Sequence, residues 1–176
     1  MRAFRVHGYE ATTMKDLERA TGVLQGSLHH AFGGKQALFL AALDRYNDEV
    51  VRHRIATHLR GESPVAEIRA LFHSLLDEPG GGRFGCLLTN AAVEFGAGSR
   101  PVSSRVSRGF GLLREAFEAH ARLARALDGV ATRRPHGRTA LRLLHAYQGL
   151  LVLIRFGHDR AALSELIDEL LADIWR

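Results

Sequence analysis

The stretch "ATGVLQGSLHHAF" at residues 20–32 decides the fold, because it joins two short helical segments through a glycine. The first segment begins at Thr13 with Asp16 three residues later, which is the spacing of a capping box. Gly22 supplies the positive φ that a sharp turn after a helix requires. The two helices are therefore expected to meet at a fixed angle as a helix-turn-helix.

The second of these helices, predicted over 25–31, presents a polar outer face. Leu17, Val23 and Leu28 are expected to pack inside the corner and to hold this helix as a rigid rod. Such a rod fits the major groove of DNA, where base edges display donors and acceptors in a sequence-dependent order. Residues near helix starts suit phosphate contacts. The predicted DNA-binding residues are Thr13, Lys15, Gln25, Ser27, His29, His30 and Lys35.

The composition favours one large or two small helical domains. The chain has 176 residues, of which 46% are hydrophobic and 24% charged, with four prolines and a net charge of +5. The single cysteine, Cys86, excludes an internal disulfide and favours a cytoplasmic protein. No apolar run approaches the roughly 18–20 residues that span a bilayer, so no membrane partner is expected. Basic residues are spread along the chain, so a basic soluble surface explains the charge as well as a nucleic-acid footprint does.

Apolar spacing and end signals predict an all-α chain of about nine helices. An N-terminal three-helix domain with a short first helix is expected over 1–45, and a helical bundle for ligand binding and dimerisation over 46–176. Ser63 is expected to cap one helix of the bundle, with Pro64 in its first turn, and Asp159 to cap the last. Besides 13–20 and 25–31, helices are predicted over 35–59, from Pro64 onward, over 84–95, across Val102–Leu127, and over 138–157 and 160–175, with breaks at "PGGG" (79–82) and "TRRPHG" (132–137).

The last two predicted helices carry more apolar surface than one small core can cover. The stretch "ALRLLHAYQGLLVLIRF" at 140–156 is apolar on nearly every side over its second half. A surface shared with a second subunit is favoured over a deep monomeric core, since symmetric pairs are the commonest oligomer. The predicted dimer-interface residues are Leu144, Leu151, Ile154, Leu163, Ile167 and Leu170.

Residues 8–39, "GYEATTMKDLERATGVLQGSLHHAFGGKQALF", resemble the N-terminal domain of the TetR/AcrR family of transcriptional regulators. The segment "RFGCLLTNAAVEFG" at 83–96 also resembles part of the C-terminal domain of many members, and the helix count fits the plan of the family. The matching N-terminal elements are Gly8-Tyr9, Thr13, Asp16-Leu17, Thr21-Gly22-Val23, Gly26, Leu28, Phe32, Lys35 and Leu38.

The resemblance implies a homodimeric repressor that binds a palindromic operator in double-stranded DNA and is released by a small molecule. The two copies of helix 25–31 would lie one helical turn apart, roughly 34–36 Å, or a multiple of it. A small bend in helix 35–59 would disrupt the DNA contacts of both copies of helix 25–31 at once. The ligand must bind the state that does not bind DNA more tightly, because equal affinity shifts nothing.

Seven residues on the fifth to eighth helices are candidates for the ligand pocket, because periodicity turns them toward the interior. Asn90 and Glu94 share a helix face at i and i+4, and a carboxylate near an apolar cavity would suit a cationic or hydroxylated ligand. A packed core with one buried hydrogen-bonded pair explains the same pattern equally well. The set is Phe72, Leu75, Asn90, Glu94, Phe117, His120 and Tyr147.

Several positions depart from the family pattern and weaken the expectation of tight DNA binding. The chain begins partway through the usual first helix, Leu24 replaces the usual hydroxyl cap, and His29 stands where a tyrosine commonly touches phosphate. The alternative is a dimeric small-molecule-binding protein with weakened or lost specific DNA binding. His29 and His30 raise the further hypothesis that DNA affinity increases between about pH 8 and pH 6 at fixed salt.

Other residue types give no catalytic or metal-binding pattern. The ten histidines form no recognised ligand spacing, and no catalytic Ser/His/Asp or Cys/His order and no phosphate loop is found. Neither an enzyme nor a cofactor is therefore predicted. Cys86 is interpreted as a small buried residue in preference to a redox sensor. A solvated basic face is predicted from Arg100, Arg105, Arg108 and Arg114.

Overall fold

The computed structural model describes residues 1–77, 84–130 and 134–176. All regular elements in these ranges are helices, which confirms the all-α prediction. Because residues 35–58 are helical without a break, the described residues form nine helical stretches, as predicted. The elements are α1 Arg2–His7, α2 Met14–Thr21, α3 Gln25–Phe32, α4 Lys35–Arg45, a π-helical segment Tyr46–Val51, α5 Arg52–His58, α6 Pro64–His73, α7 Leu87–Phe95, α8 Arg100–Leu127, α9 His136–Phe156 and α10 Arg160–Trp175.

The predicted breaks fall largely outside the described residues. "PGGG" at 79–82 lies wholly outside them, and "TRRPHG" at 132–137 is described only from residue 134 onward. There α9 already begins at His136, two residues earlier than expected. In the part of the chain that is described, no helix has both the length and the apolar character needed to cross a membrane.

The chain forms two compact units that are each discontinuous in sequence. The first comprises Met1–Val50 and Phe84–Gly109, and the second comprises Val51–Arg83 and Phe110–Arg176. Helix α7 and the beginning of α8 thus belong to the same unit as α1 to α4. The division of roles between 1–45 and 46–176 remains a prediction, since compactness alone does not assign a role to a segment.

The capping prediction for α2 is confirmed. The Asp16 backbone N–H donates to Thr13 Oγ1 at 3.2 Å, and the Thr13 backbone N–H donates to Asp16 Oδ2 at 2.9 Å. Gly22 ends the helix with φ 71°, in the left-handed region that favours glycine. Asp159 also caps as predicted, because its Oδ2 accepts from the backbone N–H of Ala162 at 2.9 Å.

The prediction at Ser63 is confirmed in position only, because Ser63 is the N-cap residue of α6. Pro64 occupies the first turn of α6 as expected, but the Ser63 side chain makes no capping hydrogen bond. The carboxylate of Glu67 instead accepts the backbone N–H groups of residues 60–63, at 2.7–3.2 Å. These four groups belong to the residues before α6, whereas the first N–H within the helix, that of Val65, donates to Asp128 Oδ2 at 2.9 Å.

The core of the first unit is aromatic. The rings of Phe4 and Tyr9 each lie 5.0 Å from the ring of Phe39, and Phe95 lies 5.1 Å from Tyr9. Edge-on and tilted rings at these separations add attraction to the area they bury. This cluster fixes α1 and the turn after it against α4 and α7.

The core of the second unit contains most of the predicted dimer-interface residues, which is a correction. The side chains of Leu151, Ile154, Leu163 and Ile167 are all buried within the single chain, so they leave little surface for a partner. Leu144 and Leu170 are half-buried. The apolar side chains that remain exposed on α9 are Leu141, Val152 and Phe156.

Candidate nucleic-acid interface and effector core

Helix α3 is held on α2 by two buried leucines. Leu17 is 4% exposed and Leu28 is 5% exposed, and the Gly22 turn brings them into the same corner. Val23, predicted to join them, is 41% exposed, because the turn directs its side chain outward. Leu24 gives no side-chain cap at the start of α3, as its apolar side chain implies.

The outer face of α3 is polar and accessible. Gln25, Ser27, His29 and His30 are all exposed, as the prediction requires. Together they offer an amide, a hydroxyl and two imidazoles, all of which can donate or accept hydrogen bonds. Their exposure means that a partner can be bound without unfolding any of the corner.

The three residues predicted to contact phosphate differ in their surroundings. Lys15 is exposed. The Thr13 hydroxyl donates to Asp16 Oδ2 at 2.6 Å, and this bond and the Thr13 backbone N–H hold the pKa of Asp16 below its ordinary value. Lys35 is half-buried, and its Nζ donates to the carbonyl oxygen of Tyr9 at 3.1 Å and to that of Glu10 at 3.4 Å. The Lys35 ammonium is therefore already bound within the protein. A phosphate contact by Lys35 stays a prediction.

Asn90 and Glu94 lie in the first unit, apart from the other predicted pocket residues. Asn90 Nδ2 donates to the carbonyl oxygens of Arg5 at 3.1 Å and Phe84 at 3.4 Å. Glu94 accepts the backbone N–H groups of Tyr9 and Glu10. Both side chains thus bind the N-terminal segment, which the i, i+4 spacing alone did not reveal.

The predicted solvated arginine face of α8 is partly wrong. Arg105 Nε lies 2.8 Å from Asp44 Oδ2, and Arg108 pairs with both Asp44 and Asp48. Arg100 and Arg114 are exposed as expected. The acidic partners are on α4 and the π-helical segment, so they could not be identified from the spacing of α8.

Next to these ion pairs, α8 packs closely on the π-helical segment. Asn47 is fully buried and its Nδ2 donates to the carbonyl oxygen of Arg105 at 2.9 Å. A Cβ at Gly109 would lie 2.2 Å from Asn47 Oδ1, so only glycine allows this approach.

The other five predicted pocket residues come together in the second unit. Phe72, Leu75, Phe117, His120 and Tyr147 are each at most 5% exposed. The Tyr147 ring lies 5.5 Å from that of Phe72 and 6.0 Å from that of Phe117. The result is an aromatic core with a phenol and an imidazole at its polar positions.

The His120 ring contacts the carboxylate of Glu67, which accepts the backbone N–H groups just before α6. Its Nε2 lies 2.9 Å from Glu67 Oε2, and its Nδ1 lies 3.0 Å from the carbonyl oxygen of Ala116. Burial alone would raise the pKa of Glu67, but the backbone N–H groups and the His120 ring outweigh it and lower the pKa to about 2. Glu67 was not identified from the sequence.

Cys86 immediately precedes α7 and is 4% exposed. This position agrees with the interpretation of a small buried residue. A redox role for the thiol remains untested.

Two family models match the chain. The model described as "Bacterial regulatory proteins, tetR family" matches residues 1–42, and "Tetracyclin repressor-like, C-terminal domain" matches residues 64–170. The second match alone spans more than half of the 176 residues, and the chain therefore belongs to the TetR family of transcriptional regulators. This is a family of regulators and not of enzymes.

Individual relatives agree with this assignment. The HTH-type transcriptional repressor ComR of Escherichia coli (strain K12) is 50% identical over 48 residues, which are 27% of this chain and 23% of ComR. The chain thus aligns with less than a quarter of the length of this curated relative. A TetR transcriptional regulator from Chloroflexus aurantiacus superposes with a TM-score of 0.82 at 28% identity, covering 98% of this chain and 88% of that one. The regulator CifR, solved with a 26-base-pair double-strand operator DNA, gives a TM-score of 0.83 at 25% identity, covering 97% and 90%.

Proposed function

We propose that this chain is a repressor that binds a palindromic operator in double-stranded DNA by inserting α3 into the major groove. The exposed polar face of α3, on a corner fixed by Leu17 and Leu28, is the observation that carries this proposal. Gln25 suits bidentate contacts to adenine, and Ser27 can donate or accept. The operator DNA bound by CifR and the repressor name of ComR support the same function.

The proposed repressor is a homodimer. A palindrome presents two half-sites whose centres lie roughly 34–36 Å apart, or a multiple of this, and a two-fold dimer matches them with two copies of α3. Leu141, Val152 and Phe156 support pairing through α9, because spacings of eleven and four residues place them on one face of that helix. Phe156 is 82% exposed, and together with Leu141 and Val152 it forms an apolar face that a second copy would cover.

A small molecule bound in the second unit is proposed to release the DNA. The aromatic core around Phe72, Phe117 and Tyr147 supports an apolar or aromatic effector, with the Tyr147 hydroxyl as a polar contact. Asn90 and Glu94 are less suited to this role, since their polar atoms bind the N-terminal segment. The effector acts only by binding the DNA-free state more tightly.

The experiment for DNA binding is selection from a library of random-sequence duplexes, followed by affinity measurements on the enriched sequence. We expect an inverted repeat to be enriched. Lys15→Ala should reduce the salt dependence of binding, because one phosphate contact is lost. Arg125→Ala is the matched control, since it removes the same charge from an exposed position on α8 in the second unit. If no sequence is enriched and only small-molecule binding is found, the alternative of a ligand-binding dimer without specific DNA binding is correct.

A further inference from the structure

The turn between α1 and α2 is bound by a carboxylate that is distant in sequence. Glu94, near the end of α7, accepts the backbone N–H groups of Tyr9 at 2.8 Å and Glu10 at 2.6 Å. Successive N–H groups that converge on one anion form a nest, and hydrogen bonds to an ionised acceptor are stronger than neutral ones. Gly8 makes room for this contact, because a Cβ there would lie 3.0 Å from Glu94 Oε2.

The peptide group between Tyr9 and Glu10 is held from both sides. Its N–H donates to Glu94, and its carbonyl oxygen accepts from Lys35 Nζ at 3.1 Å. The Lys35 ammonium also lies 4.2 Å from the centre of the Tyr9 ring. A carboxylate at the N–H and an ammonium at the carbonyl polarise the peptide group in the same direction, so each contact strengthens the other.

Neighbouring contacts fix both α7 and the turn. Asn90 Nδ2 donates to the carbonyl oxygen of Arg5, whose guanidinium donates to the carbonyl oxygen of Gly85 at 2.7 and 3.0 Å. Thr12 is fully buried and its hydroxyl donates to the carbonyl oxygen of Gly8. The next residue, Thr13, caps α2. The Tyr9–Glu10 peptide group lies only a few residues before this cap. Its position therefore constrains where in space α2 starts.

We propose that Glu94 is a positioning residue for DNA binding, which it supports by clamping the Tyr9–Glu10 peptide group together with Lys35. The clamp orients the start of α2, and through the Leu17–Leu28 corner it orients α3. The inference rests on the proposed DNA-binding function and deepens it. The part of α7 that carries Glu94 lies within the C-terminal family match, residues 64–170, yet it acts on the DNA-binding segment.

The test is the substitution Glu94→Gln, for which two physical effects have opposite signs. Removing a negative charge from a protein that binds a polyanion should tighten binding at long range. Losing the clamp should weaken it, since an amide presents only one acceptor to two N–H groups. We expect about tenfold weaker binding to the selected duplex, the factor that one hydrogen bond to a charged group typically contributes.

Glu115→Gln is the matched control, because it removes an exposed carboxylate from α8 outside the clamp. Its affinity for the same duplex should be unchanged or slightly tighter. Glu94→Asp, which retains the charge, should restore part of the lost affinity. All affinities are measured at a temperature at which circular dichroism shows each variant to be folded. Unchanged or tighter binding by Glu94→Gln would reject the clamp while leaving the DNA-binding function intact.

A second measurement needs no variant. Amide hydrogen exchange of the wild-type chain should show protection at Tyr9 and Glu10, although Glu10 is exposed and both precede a regular helix. Rapid exchange at both amides would overturn the clamp, whatever the substitution does. If the wild-type chain binds no duplex, the proposed function fails, and the DNA-binding role of Glu94 fails with it.

Discussion

The α2–α3 corner and the start of α6 use polar side chains in opposite ways. On the corner, the hydrogen-bonding groups of Gln25 and His30 face solvent, and Leu17 and Leu28 are the buried side chains of the two helices. At the start of α6, the Glu67 carboxylate and the His120 ring are turned inward and matched to each other and to backbone groups. Exposed polar groups are available to a partner, whereas buried ones stabilise the fold only as long as they remain paired.

The largest effect is expected where the corner loses its apolar contact. Leu28→Ala should lower the free energy of unfolding by about 3 kcal/mol, because it removes a buried side chain and leaves a cavity. The control is Leu24→Ala, four residues earlier, where the side chain is 68% exposed. This change should alter the free energy of unfolding by less than about 0.5 kcal/mol. Urea denaturation measures both, and equal effects would show that the corner is not held by Leu28.

Glu67 should make stability depend on acid pH. Its pKa is lowered in the folded chain from the ordinary value of 4.5 to about 2, so its contribution is complete above about pH 5 and is lost as pH falls to about 2. Over this range the wild type should lose up to about 3 kcal/mol more than Glu67→Gln does. Urea titrations at successive pH values measure the difference, with Glu165→Gln, on an exposed residue, expected to follow the wild type. Parallel curves for wild type and Glu67→Gln would contradict the proposed pairing.

A substitution on the exposed face of α3 should change the affinity for DNA without changing the stability of the fold. Gln25→Ala should weaken binding to the selected duplex by about 1–3 kcal/mol, since one base contact is lost. Its thermal unfolding should match that of the wild type, because the side chain is exposed. An unchanged affinity, measured by fluorescence anisotropy, would remove Gln25 from the interface.

The smallest expected effect distinguishes two hydroxyl residues that both precede a helix. Thr13→Ala should cost about 1 kcal/mol, because Thr13 caps α2. Ser63→Ala should cost less than about 0.5 kcal/mol, since the Ser63 side chain makes no capping hydrogen bond. Thermal unfolding of the two variants compares them directly, and the reverse order would show that the assignment of the caps is wrong.

Local signals were sufficient to predict most of the helices. The capping box at Thr13, the left-handed Gly22 and the Asp159 cap each involve residues within a few positions of one another, and all three are confirmed. Ser63 is the N-cap residue of α6 as predicted but makes no side-chain cap, and the Val65 N–H donates to Asp128, 63 residues away. The prediction that Val23 packs inside the corner was wrong, because apolar character does not determine which way a turn directs a side chain.

The candidate sites divide along the same line. The exposure of the polar side chains on α3 was predicted correctly, because it follows from spacing along the helix, and their contact with DNA stays a prediction. The partners of Glu94 lie 84 and 85 residues away, so no local pattern could indicate them. The same holds for the pairing of Arg105 with Asp44, 61 residues apart.

The sequence by itself determined the helical class, the turn at Gly22 and the polar face of α3, because each depends on interactions within one or two helical turns. Only the tertiary structure decided that Glu94 binds the Tyr9–Glu10 peptide group, that Glu67 pairs with His120, and that four leucine and isoleucine residues of the last two helices lie inside the single chain. These outcomes depend on which faces of distant helices meet. That choice is made by packing of the whole core and is encoded in no single segment.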